Sequence, residues 1–343
     1  MNRSAVVAVV ESSQIGEARR LAAQLARSAQ LGETQAGRLA LVVTELANNL
    51  VRHATGGQMV LRLRQEKGRS GVEVLALDTG PGISNVPQAL GDGYSTGGTA
   101  GEGLGAVSRL SEDFDLYSVP GQGTALLTRV WASPPVPGAS SPPEFLIGAV
   151  CLPIPGESQC GDAWATETQP QRTLLTIVDG LGHGPLAAAA ATEAIRIFHL
   201  HARRSPAEIV EAAHTALRPT CGAVMGVAEI RTDLGELRWA GVGNISGEIR
   251  LGEASSHLVS LNGTLGHQVR KVREFVLPWS DACLLLLHSD GMATLRQRDR
   301  YVGLWQRDPA LIAGVLYRDC RRGKDDFTVL TSRQVAIAPP PGP

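Results

Sequence analysis

Residues 173–184 read Thr-Leu-Leu-Thr-Ile-Val-Asp-Gly-Leu-Gly-His-Gly, and the parsing of the whole chain starts from them. A β-branched, apolar run ends on an acid. Three glycines and a histidine follow, and an alanine-rich segment begins after Gly184. By residue type this is a buried strand, a tight turn and a long helix, with the Asp179 carboxylate presented at the strand end. Three more acids hold similar places: Asp162 after Gly161, Asp290 in Ser289-Asp-Gly291, and Asp325 in Lys324-Asp-Asp-Phe-Thr328. Each alone reads as an ordinary turn. Aimed at one point, four carboxylates would repel unless cations neutralised them. Two divalent ions about 3.5–4 Å apart could polarise a phosphate and activate a water. Spacing leaves Asp326 as an alternative to Asp325, and His183 reads as a capping or packing residue ahead of a catalytic one.

Working outward, strands are expected at 145–152, 162–168, 223–231, 236–242, 246–251, 274–277, 282–289 and 327–332, and a helix at 309–319. Ser205-Pro-Ala-Glu208 is a capping box with proline at the first helical position, so a second helix starts there. Upstream, residues 132–144 hold five prolines in thirteen positions, which neither a helix nor a central strand accommodates. The chain therefore divides into a domain at 1–131, a linker at 132–144, a domain at 145–334 and a proline-rich tail at 335–343.

The whole chain has 343 residues and a net charge of −1, with only 4% aromatics. That balance argues against nucleic acid as a partner. Five scattered cysteines without a C-x-x-C pair fit reduced thiols in a cytoplasmic setting. No apolar run is long enough for a membrane span, and no leader peptide is expected.

In the first domain, a strand at 5–10 and a helix at 15–30 precede a second helix at 34–53, where Leu39, Val42, Val43, Leu46 and Leu50 form one stripe. On that helix Glu45 and Asn49 are four residues apart and share a face. Asn49 offers an oxygen suited to Mg²⁺, and Glu45 a carboxylate suited to a general base. Strands at 60–65 and 72–78 end in Asp78-Thr-Gly-Pro-Gly82, where a carboxylate can accept from an exocyclic amine and Gly80 and Gly82 allow close approach. Gly101-Glu-Gly-Leu-Gly105 leads into a short helix at 104–110, whose N-terminus is a potential anion site. Strands at 114–119 and 124–131 close an antiparallel sheet with helices on one face.

The order Glu45-x-x-x-Asn49, Asp78-x-Gly80-x-Gly82, then Gly101, Gly103 and Gly105 resembles the GHKL (Bergerat) ATPases over nearly all of 1–131. Within them it looks like the anti-sigma serine kinases, and the stretch from Leu90 to Gly98 looks like the RsbT-type switch kinases of stressosomes. The resemblance implies ATP with Mg²⁺ on Asn49, Glu45 as catalytic base, Asp78 on adenine, Gly80, Gly82, Gly101, Gly103 and Gly105 lining the nucleotide, and Thr124 touching it. The acids of the second half resemble the PPM protein phosphatases in their SpoIIE-like branch, and Trp239-Ala-Gly-Val-Gly-Asn-Ile245 resembles the RsbX type. That implies an αββα sandwich and two Mn²⁺ or Mg²⁺ ions held by Asp179, the Gly180 carbonyl, Asp162, Asp290 and Asp325. Together the two resemblances imply a bifunctional α+β regulator. The first half would phosphorylate Ser/Thr on a STAS-domain partner, and the second would hydrolyse phosphoserine or phosphothreonine. The alternative is an ATP-gated module that docks a sigma factor or a downstream phosphatase without phosphoryl transfer.

Overall fold

The computed structural model describes residues 4–66, 68–91, 103–134, 145–295 and 298–335. Gly101, most of the proline-rich linker and the tail lie outside them. The first half runs β1 (Ser4–Ala8), α1 (Ser12–Ser28), α2 (Glu33–His53), β2 (Gln58–Glu66), β3 (Arg69–Leu77), α3 (Val86–Leu90), α4 (Gly103–Leu110), β4 (Asp113–Ser118) and β5 (Thr124–Trp131). Its sheet has the order β1-β2-β3-β5-β4, antiparallel throughout. The α2 stripe is buried as its spacing predicts and packs with Val72, Val74 and Ala76 of β3 in one core. Successive strand residues point to opposite faces, so Glu73, Leu75 and Leu77 occupy the other face.

The second half continues with β6 (Phe145–Leu152), β7 (Asp162–Gln169), β8 (Arg172–Gly180), α5 (Pro185–Leu200), α6 (Pro206–Ala216), β9 (Ala223–Arg231), β10 (Glu236–Val242), β11 (Ser246–Leu251), β12 (Ala254–Leu258), the short β13 (Gly263–Thr264) and β14 (Gln268–Val269), β15 (Phe275–Pro278), β16 (Leu284–His288), α7 (Pro309–Cys320) and β17 (Phe327–Gln334). Two five-stranded sheets form, β15-β10-β9-β8-β7 and β12-β11-β16-β17-β6. Leu175, Ile177, Trp239, Leu285, Leu287 and Leu330 meet between them. The alternate residues Leu174 and Val178 of β8 pack instead under Ala190, Ala194, Ile209 and Val210 of α5 and α6. The capping box at the start of α6 forms as read, with the Ser205 side chain accepting from the Glu208 N–H. Among the described residues no helix is long and apolar enough to cross a membrane.

By contact the chain separates into two compact units that do not follow it linearly. The N-terminal unit combines Arg3–Ser141 with Gln306–Arg318, and the C-terminal unit holds Pro142–Trp305 and Asp319–Pro343. A division at the proline-rich linker assigns 306–318 to the second domain, whereas its packing lies with the first. The physical reason is on the far face of the first sheet. There Arg62 sits opposite Glu73, and Glu73 opposite Arg129, with Nε–carboxylate distances of 2.5 and 2.7 Å. All three side chains are buried. Residues 306–318 cover them. Arg129 donates both terminal nitrogens to Asp308 at 2.9 Å, and the Asp308 N–H donates to Asp115 at 2.8 Å. A Cβ on Gly314 would come within 3.1 Å of Leu75. Residues 309–317 of α7 are buried on every side, as expected for a helix apolar all round.

Candidate functional site

In the N-terminal unit, α2 brings Glu45 and Asn49 together, both half-buried. The first residue of α4 stands over them: a Cβ on Gly103 would lie 3.5 Å from Asn49 Oδ1 and 4.0 Å from Glu45 Oε2. Gly105, two residues further along that helix, is buried. Among the described residues the Asn49 Nδ2 is enclosed without a hydrogen-bond partner. An orphaned buried amide beside a carboxylate suits a ligand that supplies the missing acceptor, so these residues fit a nucleotide with its Mg²⁺.

Asp78 follows β3. Its N–H donates to the Thr124 carbonyl at 2.9 Å, and its Oδ1 accepts from the Gly80 N–H at 2.7 Å. Burial pushes its carboxyl up, against the hydrogen bonds and the Arg318 charge that favour the anion. Gly82 turns the chain two residues beyond Gly80. The Thr124 hydroxyl is already paired with Ser118 Oγ at 2.9 Å, so Thr124 meets Asp78 through its backbone. Gly123 has φ +83°, and a Cβ there would lie 2.0 Å from the Asp78 carbonyl oxygen. Gly123→Ala is therefore expected to cost about 2–4 kcal/mol and to weaken nucleotide binding. A denaturant midpoint and a titration with a fluorescent ADP analogue check both.

In the C-terminal unit, Asp162 opens β7 directly opposite Asp179 near the end of β8. Asp162 Oδ2 accepts from the Ser289 hydroxyl at 2.7 Å, and Ser289 Oγ in turn accepts the Thr328 N–H at 3.1 Å. This clasp draws the ends of β16 and β17 to the head of β7. Asp290 Oδ2 accepts from Asn244 at 2.7 Å. Gly180 belongs to the end of β8 and pairs with Ala223 of β9. Asp326 takes the N–H groups of Ile154 and Gly161 at 2.7 and 2.6 Å and is buried, so it brackets two loops. Asp325 is half-exposed, and its Oδ1 accepts the Asp326 N–H at 2.9 Å.

Burial, with Asp326 and Asp325 adding to it, pushes Asp162 up to about 7 against the Ser289 and Thr328 hydrogen bonds. Burial and the charges of Asp162, Asp290, Asp325 and Asp326 push Asp179 up to about 9. Among the described residues no three His, Cys, Asp or Glu close to ligating distance of one point. The donors are all oxygen, which suits Mg²⁺ or Mn²⁺ rather than a soft metal. His183 Nδ1 is tied to Glu157 at 2.9 Å, both partly exposed.

The residues matched by known families follow these two sites. Residues 9–129 match the histidine kinase-like ATPase domain, and 169–334 match stage II sporulation protein E (SpoIIE). The serine/threonine-protein kinase RsbT of Bacillus subtilis (strain 168) is 34% identical over 131 residues, 38% of this chain and 98% of RsbT. Through its first half, this chain belongs to the RsbT-type histidine kinase-like ATPases. Its second half, which matches SpoIIE, is similar to the phosphoserine phosphatase RsbX of the same strain, 21% identical over 138 residues, 40% of this chain and 69% of RsbX. A crystal structure of RsbX in complex with magnesium shares the fold, with TM-score 0.52 and 19% identity over 57% of this chain and 98% of that one. The chain thus joins a histidine kinase-like ATPase domain to a second half that matches SpoIIE and shares the RsbX fold.

For this RsbT-type ATPase half, the residues read from sequence as a nucleotide set fall on α2, the β3 end and α4. In the SpoIIE-type half, the four acids fall at neighbouring strand ends. Sequence reasoning missed Ser289 and Thr328 as the clasp on Asp162, although both stand inside the quoted motifs. It gave Asn244 no role within its quoted stretch, and nothing marked Glu157.

Proposed function

We propose that the protein both adds and removes a phosphoryl group on a Ser/Thr-bearing STAS-domain partner. What supports this reading is the coexistence of two separate constellations, Glu45–Asn49–Asp78 and Asp162–Asp179–Asp290–Asp325, in one chain. In the first, Asp78 would receive the adenine amine of ATP and Asn49 would hold its Mg²⁺. Glu45 takes the proton from the partner hydroxyl as the γ-phosphoryl is transferred, leaving phosphoprotein and ADP. In the second, Asp179, with Asp162, Asp290, Asp325 and the Gly180 carbonyl, would hold two divalent cations. When bound, these cations polarise the phosphate and acidify an attacking water. Ser289 and Asn244 keep Asp162 and Asp290 in place, and the products are the free hydroxyl and inorganic phosphate.

The test uses the full chain with Mg-ATP and a STAS-domain protein, read by intact-mass spectrometry. Incorporation of one phosphate is expected, and Glu45→Gln should lower its rate about 10³-fold while ADP still binds. Binding of ADP and partner without transfer by the wild type would make the first half a docking module instead. With the phosphorylated partner, release of phosphate in Mn²⁺ or Mg²⁺ should stop in EDTA. Release that persists in EDTA would reject the phosphatase assignment.

A further inference from the structure

The segment that covers the far face of the first sheet also reaches the nucleotide site. Arg307 and Asp308 anchor its start on Asp115 and Arg129. At its other end Arg318, still on α7, donates from Nη1 to the Asp78 carbonyl oxygen at 3.0 Å. Asp78 is thereby held at three points besides its place in the chain: by the Thr124 carbonyl on its N–H, by the Gly80 N–H on its carboxylate, and by the guanidinium on its carbonyl. Gly123 closes against that same carbonyl.

We propose that Arg318 is a positioning residue of the nucleotide site, supplied by a segment that lies in sequence within the phosphatase half. This rests on the reading of Asp78 as the acid that receives the base amine. Strand ends flex more readily than strand centres, because the ladder of hydrogen bonds stops there. A carboxylate that must meet one exocyclic amine needs its backbone fixed to a fraction of an ångström. The guanidinium does this without touching the ligand. Its positive charge beside Asp78 also favours the ionised, accepting form of the carboxylate. The nucleotide site is therefore incomplete in residues 1–131 alone.

The effect falls on base discrimination rather than on phosphate affinity, which separates positioning from general support. Inosine diphosphate carries an exocyclic carbonyl oxygen on C6 where ADP carries the amine, so that position cannot donate to Asp78. In the full chain the wild type is expected to bind ADP in clear preference to inosine diphosphate, and Asp78→Asn to lose that preference. Arg318→Ala is expected to shrink the ADP-to-inosine-diphosphate affinity ratio about 3- to 10-fold, with little change for inosine diphosphate itself. Arg318→Lys, which keeps a charge and a donor, should recover part of the ratio. Equal ratios in wild type, Arg318→Ala and Arg318→Lys, with Asp78→Asn impaired, would overturn the role of Arg318 and leave Asp78 in place. Wild type that shows no preference between the two nucleotides would overturn both. Should Arg318→Ala fail to fold, Arg318→Gln carries the same comparison.

Discussion

Asp179→Asn is expected to abolish metal-dependent phosphate release while making the metal-free C-terminal unit more heat-stable. The loss of activity follows from its place opposite Asp162 and among the other acids; a fall of at least about 10³-fold is expected for the removal of a shared ligand. The gain in stability follows from the same crowding. Burial and four neighbouring carboxylates raise Asp179 from 3.8 to about 9. The folded chain therefore holds that proton more tightly than the unfolded chain. The stabilisation is complete below about pH 4 and is lost as pH rises towards 9, at up to about 1.4 kcal/mol per pH unit. Asparagine carries no proton to lose. Calorimetry in chelator at pH 5 and pH 8 should show the variant and wild type close together at the lower pH and the variant several degrees higher at the upper. A wild type as stable as the variant at pH 8 would contradict the crowded-acid account.

The second large effect is expected at Glu73, which touches neither site. Burial alone would raise its carboxyl, but the charges of Arg62, Arg129 and Arg64 outweigh that and hold it far below the usual carboxylate range. Glu73→Gln would leave the Arg62 and Arg129 guanidinia buried against a neutral amide. Breaking a buried ion network by removing one member costs about 3–5 kcal/mol. The N-terminal unit should then melt more than about 10 °C lower, with the C-terminal transition unmoved. Nucleotide binding should weaken only as far as the unit is unfolded. The pH dependence runs opposite to that of Asp179. The contribution of Glu73 is present above its unfolded value near 4.5 and is lost as pH falls through its depressed folded value. Acidification therefore relieves the crowded acids of one unit and, further down the scale, dismantles the charge ladder of the other. Two calorimetric transitions with opposed pH slopes would be the signature, and parallel slopes would count against it.

Much of the architecture was legible because strand alternation and helical stripes report burial directly. The expected spans 223–231, 236–242 and 246–251 coincide with β9, β10 and β11, where apolar residues alternate or run continuously between glycine and polar punctuation. β12 escaped notice because Ala254-Ser-Ser-His-Leu258 is short, mostly polar and largely exposed. The five-residue α3 carries no apolar stripe and buries nothing.

The four acids were recognisable by their positions at strand ends, but not that Asp326 rather than Asp325 would be the buried one. That depends on which carboxylate meets the Ile154 and Gly161 N–H groups, a contact across 165 residues or more of sequence. The cysteines looked scattered, yet Cys151 and Cys160 lie 3.7 Å apart because the loop between β6 and β7 folds back. The hardest feature to read was α7. Its composition announces a fully buried helix, but an all-apolar surface does not name the sheet it will cover.

That helix has a consequence for how such a chain can have arisen and how it can change. A proline-rich tether normally lets modules be shuffled, lost or replaced by recombination. Here the chain leaves the C-terminal unit after Trp305, lines the first sheet, and re-enters after Arg318. A break at the tether would strip the cover from Glu73, Arg129 and Leu75, so neither parent module could be recovered by a simple cut. With residues 306–318 lining the first sheet, a deletion there is a lesion of the N-terminal unit, although it lies in the second half of the sequence.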